Sequence, residues 1–453
     1  MHDKIQTISE TTSVCPLCLK SISATRVAYT DGIYLDKSCD KHGFFSTLIW
    51  EGSEQSYSMW DRPNEQHDKI LNPLPAHNGC PFDCGLCEEH HRAICCALLE
   101  VTSRCNLRCP VCFASAGTDS PDPTLAQLDS QFSKLMRAGG KCNVQLSGGE
   151  PTMRDDLAEI IKLGSKHGFT FFQLNTNGLR LASDKAYLNQ LVDAGLSCVF
   201  LQFDALRDEV YESLRGKKLL SQKLKAIDNC AAAGVGVVLV PTVVCGVNDG
   251  DLGKIISFAI DRLPFVRGVH FQPASTFGRY ELGGRRDGYR LTIPRILSLI
   301  EEQTNGRLHA SDFLSGGAEN SYCSFHANFT VQKNGEISAL RPQHGERSCC
   351  CSSASSRDSV ARRFTIRRSA PLTLRTSGGT ISDSPVASLD DFLERVENRT
   401  LAVSGMLFQD GYTFDVDRVR DCYICEVSRD GRTIPFCAYN LTDNSGRYLY
   451  REL

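Results

Sequence analysis

The chain has 453 residues, which at roughly 150 residues per domain suggests about three domains. Its 50 Lys and Arg nearly balance its 53 Asp and Glu, so the formal charge of −3 argues against nucleic acid or a membrane surface as the partner. Apolar residues make up 41% of the chain, yet no apolar run approaches the ~20 residues of a membrane span. The first ten residues, MHDKIQTISE, lack the apolar core of a signal peptide, so we expect a cytoplasmic protein.

The 22 cysteines are many more than a cytosolic enzyme usually contains. Most of them are separated by gaps of two or three residues, which lets neighbouring thiolates converge on one metal centre. In a chain without a signal peptide this spacing favours metal binding over disulfides. Four scattered cysteines lie among apolar residues and are predicted to pack as small buried side chains: Cys142, Cys198, Cys230 and Cys245.

The first cysteine group lies in residues 1–60. CPLC supplies Cys15 and Cys18, and CDKHG supplies Cys39 and His42. This spacing is typical of a zinc ribbon or of rubredoxin, and three thiolates with one imidazole suit zinc, with iron as the alternative. His42 could instead be an ordinary surface histidine. We predict a zinc-ribbon or rubredoxin-like metal module over residues 1–60.

The second group forms a linker and cysteine-rich segment over residues 61–96. The run from 61 to 78 is rich in Pro, Asn and charge, which is typical of a linker. GCPFDCGLC then places Cys80, Cys84 and Cys87 in a C-x3-C-x2-C pattern, with Cys95 or Cys96 further on. Four thiolates would close an auxiliary iron–sulfur cluster with no free iron, and zinc is the alternative. We predict Cys95 as the fourth ligand.

Residues 97–310 alternate apolar runs with helical patterns, which is typical of a parallel sheet covered on both faces. Six such units predict an α/β fold, an open (β/α)6 partial TIM barrel, and a doubly wound sheet is the alternative. In both folds, ligands bind at the carboxyl ends of the strands. The predicted strands are ALLEVT (97–102), NVQLS (143–147), FTFFQLNTNG (169–178), LSCVFLQFD (196–204), VGVVLVPTVV (235–244) and RGVHFQP (267–273).

The loop directly after the first of these strands, CNLRCPVCF, carries the central motif. Cys105, Cys109 and Cys112 follow C-x3-C-x2-C, and Phe113 follows the third cysteine. Three thiolates on a [4Fe–4S] cluster leave the fourth iron without a protein ligand, and an open coordination position distinguishes a reactive metal centre from a structural one. The second strand ends in SGGEP (147–151) and the third in NTNG (175–178). Either motif alone would be typical of a turn.

In this order, the motifs resemble the radical S-adenosylmethionine (SAM) superfamily over residues 97–273. The resemblance implies that the open iron binds SAM and that the reduced cluster cleaves it to methionine and a 5′-deoxyadenosyl radical. It also implies an oxygen-sensitive enzyme, which favours an anaerobic cytoplasm. Asp204, at the end of the fourth strand, could contact substrate or SAM, or be a solvated loop carboxylate. The residues implied to contact SAM are Phe113, Gly148, Gly149, Glu150, Pro151, Asn175, Thr176, Asn177, Val240 and Gln272.

The whole chain resembles a narrower group, which contains tetraether lipid synthase and the dihydropterin methyltransferase-like enzymes. The motifs LQFD, GVHFQP, ENSYCSFH and SCCC resemble most closely the subgroup named the radical SAM (seleno)protein TrsS, with cysteine at every position here. By analogy, the radical would abstract hydrogen from a small-molecule or lipid-like substrate for C–C bond formation or methylation of an unactivated carbon. The alternatives are a radical SAM peptide or protein maturase and a non-catalytic multi-cluster electron-transfer protein. A ferredoxin or flavodoxin is the expected electron donor.

The C-terminal third is predicted in three parts. Residues 311–344 form the barrel end with Cys323, 345–388 a flexible Ser/Arg-rich insert, and 389–453 an auxiliary-cluster region. Cys422, Cys425 and Cys437 lie on a predicted hairpin around Asp430-Gly431 and, with Cys323, would hold a second auxiliary cluster. A zinc site or simple buried thiols are the alternatives. For Cys349 to Cys351, in the insert, a redox, thiol-transfer or soft-metal role is the hypothesis.

Overall fold

The computed structural model describes residues 4–61, 70, 72–117, 120–282, 290–316, 319–332, 334–340 and 399–451. The predicted insert at 345–388, with Cys349 to Cys351, lies outside the described residues. Within these ranges, no helix has the length and apolar character needed to cross a membrane.

The N-terminal module is a four-stranded antiparallel sheet whose strands pair in chain order. Burial alternates along its third strand, because Ile33 and Leu35 are fully buried and Tyr34, between them, is half-buried. A short helix follows the sheet. These elements are β1 (Lys4–Val14), β2 (Ser21–Tyr29), β3 (Gly32–Cys39), β4 (Gly43–Glu51) and α1 (Glu54–Trp60).

The second sheet has a central run of eight parallel strands. In spatial order they are β18 (Ile424–Val427), β5 (Cys96–Thr102), β7 (Asn143–Gly148), β8 (Phe172–Thr176), β9 (Leu196–Gln202), β10 (Gly236–Val240), β12 (Val266–Pro273) and β17 (Thr400–Met406). Antiparallel strands complete both edges. They are β14 (Leu314–Ser315), β15 (Ser324–Val331), β16 (Ile337–Ala339) and β19 (Thr433–Pro435). The short strand β11 (Thr242–Val243) pairs in parallel with β12, and β6 (Val111–Cys112) and β13 (Arg279–Tyr280) form a separate two-stranded antiparallel sheet.

Most of the helices lie on the outer face of this sheet, but the short helix Val416–Arg420 contacts β1, and Phe436 at the start of the last helix lies on the inner side of the sheet. The longest, α2, begins with a capping box in which Thr124 and Gln127 satisfy each other's backbone. The helices are α2 (Leu125–Gly139), α3 (Leu157–Lys166), α4 (Leu179–Ser183), α5 (Lys185–Asp193), α6 (Asp208–Arg215), α7 (Leu220–Ala232), α8 (Leu252–Asp261), α9 (Ile293–Gln303), α10 (Val416–Arg420) and α11 (Phe436–Tyr439).

The six predicted barrel strands are all present and pair in chain order. A doubly wound sheet reverses its strand order at a switch point, and no reversal occurs between β5 and β12, so the partial-barrel prediction is confirmed. The first strand begins at Cys96, one residue earlier than predicted. Two further parallel strands, β17 and β18, come from the C-terminal region and extend the barrel at both ends, a pairing that the sequence pattern did not predict.

The two faces of the barrel strands have different chemistry. In β7, Val144 and Leu146 are fully buried in the main hydrophobic core against the helices. The intervening Asn143, Gln145 and Ser147 point to the inner side of the sheet, where they line a cavity. The period of two along a strand therefore separates an apolar outer face from a polar inner face.

Candidate active site

A cavity of about 670 Å³ occupies the inner side of the curved sheet. The cysteines of the central motif line it, as do all but one of the residues expected to contact SAM. These are Cys105, Cys109, Cys112, Phe113, Gly148, Gly149, Glu150, Asn175, Thr176, Asn177, Val240 and Gln272. Pro151 does not line the cavity. It begins the short 3-10 turn Pro151–Met153 instead, a position that suits its fixed φ.

Cys105 and Cys109 lie on the loop between β5 and β6, and Cys112 is the second residue of β6. Arg279, in β13, holds this loop in place by donating to the carbonyl oxygens of Cys109 at 2.7 Å and Ala116 at 3.1 Å. Burial, with smaller contributions from the nearby Glu150 and Cys109, raises the pKa of Cys105 to about 12, although a hydrogen bond from the backbone N–H of Leu107 opposes the rise. A bound metal reverses such a shift because it binds the thiolate.

The arrangement of these thiols suits a cluster better than a single ion. One tetrahedral zinc ion at ~2.3 Å from sulfur draws its ligand atoms to about 3.8 Å from one another. Among the described residues, only the N-terminal ribbon contains such a compact group. A [4Fe–4S] cluster binds each thiolate through a different iron, so its ligands lie further apart. Cys105, Cys109 and Cys112 share one loop and one cavity wall, and they lie within each other's electrostatic reach.

The two glycines of the SGGEP motif allow the second strand to approach the central loop. A Cβ atom on Gly148 would lie 2.1 Å from the carbonyl oxygen of Thr102, and one on Gly149 would lie 2.2 Å from that of Arg104. Gly148 also has a φ of +131°, which other residues rarely adopt. The glycines are therefore needed for contact between two chain segments, in addition to any need at the ligand.

Glu150 connects the ends of the second and third barrel strands. Its Oε1 accepts hydrogen bonds from the hydroxyls of Thr152 and Thr176, both at 2.6 Å. Its Oε2 accepts one from the backbone N–H of Asn177 at 2.7 Å. Because a carboxylate oxygen has two lone pairs, Oε2 retains the capacity to accept from an amino group in the cavity.

A buried lysine that the sequence did not single out supports this wall of the cavity. Lys223 is fully buried, and its Nζ donates to the carbonyl of Asn177 at 2.5 Å and to Oε1 of Gln202 at 3.1 Å. Burial lowers the pKa of Lys223 to about 8. In the helical pattern LLSQKLKAIDNC this lysine is indistinguishable from a solvent-exposed one, so no signal in the sequence pointed to it.

Side-chain amides line the part of the cavity near the middle of the strands. Asn175 donates to Oε1 of Gln145 at 3.0 Å and accepts from Nε2 of Gln173 at 2.7 Å. Gln145 in turn donates to the Sγ of Cys96 at 2.8 Å. Across the cavity, His270 Nδ1 lies 3.0 Å from the hydroxyl of Ser404. This region offers both donors and acceptors to a bound molecule.

The expectation that Asp204 contacts substrate or SAM is wrong. Its side chain is fully buried, and its two oxygens accept from Arg215 at 2.7 and 2.8 Å and from the backbone N–H of Thr242 at 3.0 Å. Arg215, rather than Asp204, lines the cavity. The carboxylate is neither a ligand contact nor a solvated loop group, because it holds this guanidinium in place.

Comparison with known proteins agrees with this geometry. The radical SAM superfamily profile matches residues 99–259, and that of the HMPTM N-terminal zinc ribbon domain matches residues 7–51. The 7,8-dihydro-6-hydroxymethylpterin dimethyltransferase of Methanocaldococcus jannaschii is 33% identical over 482 residues, which cover 95% of this chain and 93% of that enzyme. The chain belongs to the radical SAM superfamily. It is therefore an enzyme with a [4Fe–4S] cluster and SAM as cofactors, and the predicted resemblance to the dihydropterin methyltransferase-like group is confirmed. The TrsS subgroup stays a prediction.

Other proteins match only part of the chain. The GTP 3′,8-cyclase of Paenarthrobacter nicotinovorans is 30% identical over 195 residues, 42% of this chain and 54% of that enzyme. Among solved structures, SuiB of Streptococcus suis bound to precursor peptide SuiA has a TM-score of 0.39 and 13% identity, and the match covers 47% of this chain and 46% of that one.

Outside the radical SAM core, the ribbon cysteines form a compact group. The ligand atoms of Cys15, Cys18, Cys39 and His42 all lie within 4.8 Å of one another, and Nδ1 of His42 is 3.3 Å from the Sγ of Cys15. Backbone hydrogen bonds, first that from Lys41, lower the pKa of Cys39 to about 6, which favours the thiolate that a metal binds. The residues present fit one tetrahedral ion.

The loop before the core brings Cys80, Cys84 and Cys87 together. The hydrogen-bonded Cys80 and burial raise the pKa of Cys84, and Cys87 and Cys425 raise it further. Cys95, the predicted fourth ligand, lines the main cavity, and its role as a ligand stays a prediction. Cys425 of β18 also lies within electrostatic reach of Cys84.

The four C-terminal thiols separate into two environments. Cys422 and Cys437 lie within electrostatic reach of Cys323, and burial raises the pKa of each of the three. The predicted hairpin around Asp430-Gly431 is present as β18 and β19. Within it, Cys425 is fully buried in the main hydrophobic core.

Proposed function

We propose that this protein is a radical SAM methyltransferase that modifies an unactivated carbon of a dihydropterin-like heterocycle. The observation that carries the proposal is the full-length similarity to the dihydropterin dimethyltransferase, which includes the ribbon as well as the core. Similarity confined to the core would support only the binding of the [4Fe–4S] cluster and SAM, and it would not indicate the substrate. A ferredoxin or flavodoxin would supply the electrons.

One set of residues in the cavity would bind the cofactors, and another set would bind the substrate. Cys105, Cys109 and Cys112 would hold the cluster, whose reduction of SAM yields methionine and a 5′-deoxyadenosyl radical. Oε2 of Glu150 would accept from the SAM amino group, and Phe113, whose ring is about one-third exposed at 36%, would pack against the adenine. Hydrogen-atom abstraction requires no general base, so none is assigned.

The inner part of the cavity suits a flat, polar heterocycle. The amides of Gln145, Gln173 and Asn175 present donors and acceptors in a fixed network. The rings of Phe200 and His270, 6.1 Å apart, lie on β9 and β12, the strands on either side of β10. A pterin ring carries ring nitrogens, an amino group and a carbonyl. These groups can pair with the donors and acceptors of the amide network. Buried amides left without partners would also discriminate against an apolar substrate.

The proposal is tested by anaerobic reconstitution with iron and sulfide, reduction with dithionite, and incubation with SAM. We expect 5′-deoxyadenosine from the wild type and from Cys84→Ala, and none from Cys109→Ala, because Cys109 belongs to the loop that lines the cavity. The SAM that is cleaved keeps its methyl group in methionine, so a second SAM would donate the methyl group and leave as S-adenosylhomocysteine, with two electrons from the reductant for each methyl group added. With 7,8-dihydro-6-hydroxymethylpterin present, we therefore expect S-adenosylhomocysteine and a product one methylene unit heavier. An intact cluster without SAM cleavage would rule out the enzyme activity. Cleavage without a methylated pterin would rule out only the substrate.

A further inference from the structure

The zinc ribbon packs directly against the segment 407–419, which leads from β17 into α10. Pro16, between the ligands Cys15 and Cys18, is so close to this segment that a Cβ atom on Gly411 would lie 3.0 Å from its Cα. The Nζ of Lys37 donates to the carbonyl of Gly411 at 2.7 Å. The hydroxyl of Ser13 donates to the carbonyl of Phe414 at 2.5 Å.

One carboxylate joins the ribbon to the start of α10. Asp415, whose side chain is 3% exposed, accepts from Arg26 of β2 at 2.9 and 2.8 Å and from the hydroxyl of Thr11 at 2.9 Å. The same side chain caps α10 by accepting from the backbone N–H of Asp417 at 3.1 Å. A charge-assisted, two-point contact of this kind fixes both position and orientation.

The other side of the segment contacts two of the C-terminal thiols. Arg418 lies 3.4 Å through its Nε from the Sγ of Cys323, and it also donates to the carbonyl of Leu407 at 3.2 Å. Gln409 accepts from the backbone N–H of Asp415 at 2.8 Å. The backbone N–H of Gln409 donates to the Sγ of Cys437 at 3.2 Å.

The helix that follows the ribbon contacts the Cys323 turn from a second direction. The rings of Tyr57 and Tyr322 stack with centroids 4.1 Å apart, and the hydroxyl of Tyr322 donates to the carbonyl of Tyr57 at 3.1 Å. Trp60 donates through its indole N–H to the carbonyl of Ser321 at 2.8 Å. The ribbon and its helix thus hold both residues that immediately precede Cys323.

We infer that the ribbon holds Cys323 and Cys437 in position, and we call it a brace in this sense. Arg26 and Asp415 are the positioning residues that connect the ribbon to the segment 407–419. The ribbon then serves to build the C-terminal thiol site, and it need not touch the substrate. The positioning part of this inference depends only on the contacts above. The use of those thiols as cluster ligands depends on the prediction of a second auxiliary cluster.

The test measures the alkylation rate of individual cysteines in the full-length, zinc-loaded protein before cluster reconstitution, by an iodoacetamide pulse and peptide mass spectrometry. We expect Arg26→Met to raise the alkylation rates of Cys323 and Cys437 about tenfold, because the loss of a charge-assisted contact makes local opening of this region more frequent. The alkylation rate of Cys109 should not change. Arg26→Lys should restore part of the protection. Asp40→Asn is the matched control, because its pair with Lys20 is on the surface, with side chains 95% and 62% exposed.

Asp415→Asn tests the same contact without changing a residue of the ribbon, so misfolding of the ribbon cannot account for its effect. It should expose the same two thiols while zinc content stays at the wild-type level. Unchanged rates in both variants, or equal acceleration at every cysteine, would overturn the brace. Reconstitution then tests the cluster separately: if the wild type binds no iron at the C-terminal thiols, the auxiliary-cluster prediction fails while the alkylation result still decides the brace.

Discussion

Arg215 connects the buried carboxylate of Asp204 to the thiol of Cys109. The guanidinium binds Asp204 through two nitrogens and donates to the carbonyl of Val111 at 3.1 Å and the hydroxyl of Thr242 at 2.8 Å. Burial raises the pKa of Cys109, and the charge of Arg215 opposes that rise. One cation therefore joins the cluster loop to the ends of the fourth and fifth barrel strands.

We expect Asp204→Asn to destabilise the protein by about 3–5 kcal/mol, because it leaves a buried guanidinium without its counter-charge. Thermal unfolding measures the loss, and the visible absorption of the reconstituted cluster reports whether the loop still assembles. Asp228→Asn is the control, since the Arg262–Asp228 pair is 38% and 64% exposed and should contribute less than about 1 kcal/mol. Equal effects of the two variants would show that the buried pair has no special role.

Gly149→Ala tests the close approach of the second strand to the cluster loop. The new methyl group would lie 2.2 Å from the carbonyl oxygen of Arg104, so one segment must move. We expect 5′-deoxyadenosine formation to fall about 100-fold, the usual consequence of a displacement near 1 Å at a reacting centre. Gly250→Ala, with nothing within 4 Å of its Cβ position, should retain wild-type activity. Normal activity in Gly149→Ala would mean that the loop can shift without cost.

The sequence predicted the barrel and most of the cavity because local signals were sufficient for them. The strand–loop–strand order put the Cys105 loop and the SGGEP motif at the same edge of a parallel sheet, and side chains at strand ends must then converge. Apolar runs also located six strands within a few residues.

What the sequence did not predict depends on contacts between distant segments. The addition of β17 and β18 to the barrel joins residues more than 130 positions apart in one case and more than 320 in the other, and short strands carry no signal of their partner. Asp204 ends a strand exactly as a ligand residue would, and only its pairing with Arg215 shows its role. For the same reason, spacing along the chain could not show that Cys425 lies within electrostatic reach of Cys84.

Replacing His42 tests whether it completes the ribbon site. Because its Nδ1 is 3.3 Å from Cys15 and 3.6 Å from Cys39, we expect His42→Ala to weaken zinc retention by more than about tenfold. Competition with a chromogenic chelator measures it. His309→Ala is the control, because His309 lies outside the ribbon and its Nδ1 is 3.0 Å from the carboxylate of Glu301. Zinc retention equal to wild type would make His42 an ordinary surface histidine.

Glu426 makes the stability of the folded protein depend on pH. It lies in β18, fully buried, and among the described residues neither carboxylate oxygen has a hydrogen-bond partner. Burial raises its pKa well above the ordinary value of 4.5, nearby Glu100 raises it further, and Arg451 partly opposes both. The folded protein therefore keeps a proton that the unfolded chain releases above pH of about 4.5.

It follows that this group lowers stability progressively as the pH rises above about 4.5, since the unfolded state then binds fewer protons than the folded state. Glu426→Gln removes the titration, so we expect it to gain stability relative to the wild type as the pH rises from 5 to 8, by about 1.4 kcal/mol for each pH unit over which folded Glu426 keeps its proton. Near pH 5 the two proteins should differ much less. Urea unfolding at the two pH values measures this, with the exposed Glu209→Gln as the control. A constant difference between pH 5 and pH 8 would show that Glu426 does not hold a proton in the folded state.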